Sequence, residues 1–542
     1  MFNRYFILSF RSGLILSIIL ALLSLTLSAL IVRGHISIGS LTYGYLTDTV
    51  RMVREGNLSS FDPDRLVQGT RFPFADPLSD RAMNASDPFG YNIALALPLL
   101  LRIDPINCAL LVNIISIVLS IVVFYLICAL LFQPTAALGA SVIFALNRLF
   151  LQINYNLGPE PIFVLTILAA TFFLLKRYIN YNRPSVRIAI SLGVLVTLPV
   201  YVRYIGIVFT FIAILFILGE TFIRRKTKGV FRETLALIAT SAILVILLMA
   251  HNYAASGVLS GHPIGISPAY TFPQALFHML VDIYSDTGLP LSAFFGPYVS
   301  VIIAFLVSTV FLLVLLLASV RYRNVRLFAW FTSAYVIAFA VSESITRIDL
   351  IDVRFIYPIF PFVVLGTFFL VHEARTLITS QRSVKVLTLC FILICSVSIL
   401  LSTPLITRGR QSEYNYSPQT IRAVMASFPP NENIFVSRYG AQISIYRPDL
   451  HSHMLPFVDP GNGHYTEAYG IHLLTRDEFI DEMKIFGIHK IVFCLGRTVN
   501  GDGFIENDYY GAFMKDIFSG HDQLVENIQY LPDGRIITLR NN

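Results

Sequence analysis

Seven charged residues stand beside long apolar runs of this chain: Asp48, Glu160, Arg203, Arg347, Asp349, Asp352 and Arg354. They come from four separate parts of the sequence. An ionisable group at membrane depth is costly and usually functional, whereas one at the boundary can snorkel to water. A carboxylate can take a proton from a hydroxyl. A guanidinium fork matches two phosphate oxygens at once. Acids and arginines collected at one membrane surface therefore suit transfer of a group from a phosphate-linked lipid. The residue types do not name that group.

Each candidate also has a plainer reading. Asp48 lies three residues before Arg51, a spacing that makes a surface ion pair worth a few tenths of a kcal/mol. Glu160 follows Gly158-Pro159 at an expected helix start, where an acid favours the dipole. Arg203 interrupts an apolar stretch, which argues against simple solvation. Arg354 and Tyr357 are one helical turn apart, and Arg354 could instead pair with Asp349 or Asp352. Asp62 and Asp64 resemble a metal-binding DxD, but Pro63 between them favours a turn. His451, His453 and His464 match no zinc spacing. No cofactor is indicated; a divalent metal is possible, with oxygen ligands that the sequence does not assign.

The elements that position these residues follow from composition. The chain has 542 residues, 55% of them hydrophobic and 13% charged, with a mean hydropathy of +0.68. That much apolar surface belongs in a bilayer, where about 20 apolar residues make one spanning helix. The pI near 9.1 does not imply a nucleic-acid partner. Residues 1–404 carry 28 Lys/Arg against 17 Asp/Glu, while 405–542 carry 12 against 16. The excess positive charge sits between hydrophobic segments, as topology requires. The five cysteines form no CxxC or His/Cys cluster, which argues against structural zinc.

Expected spans are 13–32, 106–132, 135–152, 161–175, 188–201, 204–219, 234–251, 297–319, 327–343, 355–371 and 386–404, about eleven helices. The first is read as a retained helix and not a cleaved leader. With the N-terminus in the cytoplasm, the basic loops at 176–187, 224–232, 321–326 and 375–385 all fall inside. The candidate site residues then collect on the outer side. Three larger pieces also lie outside: loop 33–105, loop 252–296 and the tail 405–542. The apolar run 90–102 is too short to cross and is read as an interfacial helix. In the tail, "ENIFVS" and "HKIVFCLG" read as strands and "FIDEMKIFG" as an amphipathic helix, a small α/β domain.

Four stretches resemble the GT-C membrane glycosyltransferases, closest to the branch of protein O-mannosyltransferases and the aminoarabinose transferase. They are "NLGPEPIFVLTILAATFFLLKRY", "GVLVTLPVYVRYIGIVF", "HNYAASGVLSGHP" and "IDVRFIYPIFPFVVLG", in the family's order. The resemblance covers nearly the whole chain. It implies a GT-C-like membrane domain over 1–404, including outer loop 33–105, and an extracytoplasmic α/β domain over 405–542. It implies a multi-pass protein of the plasma (inner) membrane. Its partners would be a polyprenyl-phosphate sugar donor, membrane lipids and a protein, lipid or glycan acceptor. The transfer would invert the anomeric centre. Asp48 would be the general base, and Arg203 and Arg354 would hold the donor phosphate. Glu160, Tyr204 and Tyr357 would line the pocket.

One departure matters. The family opens its first outer loop with an acidic pair, and here Thr42-Tyr43 stand at that place. Asp48 comes five or six residues later. Five helical residues turn a side chain by about 140° and raise it by roughly 7.5 Å. Either Asp48 acts from a re-aimed helix, or Asp62, Asp64 or Asp76 acts instead, or transfer is lost. A lipid-linked glycan transporter or flippase and an inactive GT-C-like binding protein are the alternatives. A transporter would tend to show a repeat between its halves, and none is seen.

Overall fold

The structure is a computed structural model. It describes residues 10–31, 37–38, 45–46, 49–50, 52–53, 88–154, 156–179, 184–223, 228–256, 259, 270–287, 297–345 and 353–377. In the tail it describes 418–430, 432–436, 443, 446–447, 450–454, 457–459, 464–466, 473–474, 483–484, 487–494 and 524–540.

The helices are α1 (Phe10–Ile31), α2 (Gly90–Leu100), α3 (Pro105–Leu131), α4 (Pro134–Leu146), α5 (Arg148–Asn154) and α6 (Glu160–Ile179). There follow α7 (Val186–Val202), α8 (Gly206–Ile223), α9 (Lys228–Ser256), α10 (Phe272–Thr287) and α11 (Pro297–Arg321). The series ends with α12 (Arg326–Ile345), α13 (Val353–Ile356), α14 (Phe360–Leu377) and, in the tail, α15 (Pro418–Ser427). Each of the first ten expected spans contains a helix; the last, 386–404, lies outside the described residues. By length and composition α1, α3, α6, α9, α11 and α12 can cross a membrane. The helices α4, α7, α8 and α14 are apolar but shorter.

Two expected spans are reshaped for local reasons. The run 135–152 is cut at Asn147, which is extended at the end of α4. Its Oδ1 accepts the Leu149 amide at 2.9 Å, so the side chain starts α5 as it ends α4. The run 355–371 starts late, because α13 ends at Ile356 and the chain turns before Phe360. The loop 252–296 also contains a helix that hydropathy passed over. Helix α10 buries Ala275, Met279, Leu280 and Ile283 and exposes a mixed face with Phe272, Gln274, Phe277 and His278.

The segment 90–102 is mostly helical, as expected. Eleven residues make about 16 Å of helix, half of what crossing requires. Helix α2 buries Tyr91, Asn92, Leu95, Ala96 and Pro98. It exposes Ile93, Leu97 and Leu100, an apolar outer face that suits an interfacial position. Helix α3 is started by Asp104, whose Oδ1 accepts the Ile106 and Asn107 amides at 3.0 and 3.3 Å, with Pro105 at the first position.

Helices α7 and α9 meet at Gly193, where an added Cβ would lie 2.8 Å from the Leu237 carbonyl oxygen. Small residues let membrane helices approach this closely. Leu313, Leu317 and Val320 on α11 and Ile243, Ile246 and Leu247 on α9 are exposed, which suits lipid and not water. Arg177 binds Glu233 through two contacts of 2.8 Å, and Arg323 pairs with the fully buried Glu220. Glu160 and Arg177 sit near opposite ends of α6, about 25 Å apart along its axis. The Arg177–Glu233 pair thus closes the bundle at the end away from Glu160.

The tail strands are β3 (Asn433–Val436), β4 (His451–Met454), β5 (Phe457–Asp459), β6 (His464–Thr466), β7 (Leu473–Leu474), β8 (Lys490–Cys494), β9 (Val525–Leu531) and β10 (Gly534–Leu539). Two earlier strands, β1 (Ser37–Ile38) and β2 (Asn156–Leu157), pair in parallel and tie the first loop beside Glu160. The main tail sheet has order β4-β3-β8-β10-β9, with β3 parallel to β4 and β8 and β10 antiparallel to both its neighbours. The expected strands at "ENIFVS" and "HKIVFCLG" are β3 and β8. Of "FIDEMKIFG" only 483–484 and 487 are described. Helix α15 is capped from a distance. Asp533, in the β9–β10 turn, accepts the Gln419 amide at 2.8 Å and the Thr420 amide at 3.0 Å. Asp533→Ala is expected to destabilise the tail by about 1–2 kcal/mol. Faster hydrogen exchange over 418–427 would be the measure, and unchanged exchange would refute the capping role.

Candidate functional site

The site forms around one carboxylate. Glu160 opens α6 just after Gly158-Pro159 and is 5% exposed. It pairs with Arg203 through Oε1 and Nη1.

Arg203 reaches it from a break between two helices. Pro199 lies inside the last turn of α7. Arg203 is extended, at φ −148° and ψ 134°, with its amide on the Pro199 carbonyl. Gly206 then starts α8, and a Cβ there would collide with the Pro199 carbonyl. Only glycine allows α8 to restart so close to the end of α7. Backbone breaks at membrane depth need protein or water to satisfy them, and here local turns do so: Gly206 donates to the Arg203 carbonyl at 2.8 Å and Ile207 to Tyr204 at 3.0 Å.

Three buried tyrosines lie within the electrostatic influence of the pair. Tyr91 comes from α2, Tyr335 from α12 and Tyr357 from the turn after α13. All three lie within the electrostatic reach of Glu160, and Tyr335 also feels Arg203. Burial holds the Tyr91 phenol well above its usual titration range, and the Glu160 charge adds to the effect. Tyr91 meets Tyr45 edge to face at 5.1 Å. Tyr357 stacks on Phe150 at 5.8 Å. Tyr335 and Phe339 belong to a ring ladder that ends on Phe355.

The sequence-derived candidates fare differently. Glu160 and Arg203 come together, and the buried Tyr357 lies within the electrostatic reach of Glu160. Tyr204 is half-buried in the α7–α8 turn. Arg354 is half-buried on the short α13, its guanidinium 5.7 Å from the Phe355 ring. Arg354 and Tyr357 do not share one continuous helix, because α13 ends between them. Asp48 and its neighbour Arg51 lie outside the described residues, as do Asp62, Asp64, Asp76, Arg347, Asp349 and Asp352. The described neighbours of Asp48 are informative. Tyr45, Leu46 and Val50 are buried with Tyr91, Leu95 and Leu157, and Tyr45 accepts a bond from Asn92 at 3.3 Å. This stretch is therefore packed against the element that carries Tyr91.

Sequence reading missed Tyr91 and Tyr335. Tyrosines within apolar runs give no signal of a shared site. Among the described residues no group of three or more His, Cys, Asp or Glu could hold a metal ion. The tail approaches the same region, with Tyr446 donating to Asp104 at 3.3 Å and packing beside Tyr45 and Tyr91.

Residues 86–251, which include Tyr91, Glu160 and Arg203, match the dolichyl-phosphate-mannose-protein mannosyltransferase family. No curated protein matches the chain. Among solved structures, ArnT from Cupriavidus metallidurans in the apo state is 10% identical, with 98% of each chain covered and a TM-score of 0.56. The same protein bound to undecaprenyl phosphate gives 11% identity, 98% of each chain and a TM-score of 0.55. The apo oligosaccharyltransferase of Archaeoglobus fulgidus is 12% identical, with all of this chain and 75% of that one covered and a TM-score of 0.50. The chain thus has the polytopic helical fold of the GT-C superfamily of membrane glycosyltransferases.

Proposed function

We propose that this protein transfers a sugar from a polyprenyl-phosphate donor to an acceptor hydroxyl at the outer face of the plasma membrane. The observation that carries the reading is the buried Glu160–Arg203 pair in a helix break, with the buried Tyr91, Tyr335 and Tyr357 within electrostatic reach of Glu160. A fold shared over its whole length with a protein captured with undecaprenyl phosphate supports a lipid-phosphate ligand.

In the proposed reaction Asp48 takes the proton of the acceptor hydroxyl. The acceptor oxygen bonds to the anomeric carbon while the bond from that carbon to the phosphate oxygen breaks. The electron pair leaves on the phosphate, which Arg203 and Arg354 stabilise, and the anomeric centre inverts. Glu160, Tyr204 and Tyr357 line the pocket. The domain over 405–542 positions the acceptor against the membrane domain, 1–404. The N-terminus is cytoplasmic and the tail outside, so a reporter fused after Asn542 is expected to be active only outside the cytoplasm. Activity in the cytoplasm would reverse the orientation.

The test is incubation of purified protein with a panel of polyprenyl-phosphate sugars, with mass spectrometry for released polyprenyl phosphate. Release from one donor is the expected result. Binding without release would favour a lipid-linked glycan transporter or an inactive GT-C-like binding protein. Neither binding nor release would overturn the reading. Arg203→Lys and Arg354→Lys should each weaken donor binding by about tenfold or more, because Lys keeps the charge but loses the planar fork. Unchanged affinity in both would remove the phosphate assignment.

A further inference from the structure

Two phenols within electrostatic reach of Glu160 have no hydrogen-bond partner among the described residues. Tyr91 is fully buried and Tyr357 is 1% exposed. Among the described residues neither hydroxyl has a hydrogen-bond partner. A buried hydroxyl without a partner carries its full desolvation penalty. Such groups call for a role, and these two come from different elements and border the same carboxylate. Their rings rest against Tyr45 and Phe150 respectively, so the Glu160 side chain, freed from Arg203, is the group that turns to meet them.

The pair itself poses a difficulty. Arg203 is engaged by Glu160, so an incoming phosphate must compete for the guanidinium. Moving Arg203 away would leave a buried carboxylate without its charge partner, which is strongly unfavourable. A carboxylate offers two oxygens and about four lone-pair sites to replacement donors. We infer that Tyr91 and Tyr357 are positioning residues that bond Glu160 when a phosphate draws Arg203 away, so that the buried pair acts as a latch on the donor site. The inference rests on the reading of a phosphate-linked donor.

Two measurements test the latch. The first is a thermal-unfolding cycle of the full chain in detergent. Tyr91→Phe with Tyr357→Phe should leave the melting temperature unchanged or raise it, because two unpaired hydroxyls are removed. In an Arg203→Gln background the same change should lower it by about 2 °C or more, since Glu160 then depends on the phenols. Equal effects in the two backgrounds would overturn the latch.

The second measurement stands if Arg203→Gln does not fold. Undecaprenyl phosphate is titrated into the unaltered chain and the double Phe variant. The variant should bind about tenfold more weakly. An affinity like that of the unaltered chain would overturn the latch while sparing the donor reading. No binding by the unaltered chain would overturn the donor reading and remove the trigger of the latch with it.

Discussion

Arg203→Ala is expected to lower the stability of the folded protein by about 3 kcal/mol and to abolish release of polyprenyl phosphate. Glu160 is 5% exposed, so water cannot replace the lost guanidinium. Breaking a buried pair by removing one partner typically costs about 3–5 kcal/mol, more than the pair contributes net, because the stranded charge stays desolvated. The lower end applies here because Tyr91 and Tyr357 lie near the carboxylate. Replacing both members, Glu160→Gln with Arg203→Gln, should therefore be the milder change, since no charge is stranded. Thermal unfolding in detergent separates the two. If Arg203→Ala melts at or above the double variant, the pair is not the buried electrostatic unit described above. The same variant reports on function, because an alanine offers no donor to a phosphate. Full release from a folded Arg203→Ala protein would sink the role of Arg203.

Asp48→Asn should lower turnover by about 10²–10⁴-fold, the usual contribution of a positioned base, and leave donor binding nearly intact. The amide keeps the shape of the side chain but cannot accept the acceptor's proton. Asp48 is the only carboxylate between Val32 and Glu55. Its described neighbours Tyr45, Leu46 and Val50 pack with Tyr91, which borders Glu160. The stretch is thus anchored beside the proposed donor pocket, although Thr42-Tyr43 stand where an acidic pair is expected. Single-turnover assays with bound donor are the measure. Turnover like that of the unaltered protein would move the base to Asp62, Asp64 or Asp76, each of which can be changed to Asn in the same assay. If all four variants transfer normally, no first-loop acid is the base.

Hydropathy alone determined that this chain is a bundle of membrane helices with a polar tail, because about 20 apolar residues in a row have few other stable solutions. It also placed strands β3 and β8, where β-rich runs end in turn residues. Single residues carried part of the site. Arg203 stood out because a charge inside an apolar stretch needs a reason, and Glu160 because it follows Gly158-Pro159 at a helix start. Their pairing was not legible. They are far apart in sequence, and only the restart of α8 at Gly206, packed on the Pro199 carbonyl, brings the arginine to the carboxylate. The same holds for Tyr91, Tyr335 and Tyr357. An aromatic in an apolar run looks the same in sequence whether it faces lipid, core or a charge, and helix packing alone decides which. Helix α10 shows the limit from the other side. Its apolar stripe was too short for a hydropathy window, yet Met279 and Ile283 are fixed in the core by α11 and α12. Sequence determined which segments leave water and which residues would be costly among them; tertiary structure decided which of those residues meet, because contact between distant segments is set by the packing of whole helices and not by local pattern.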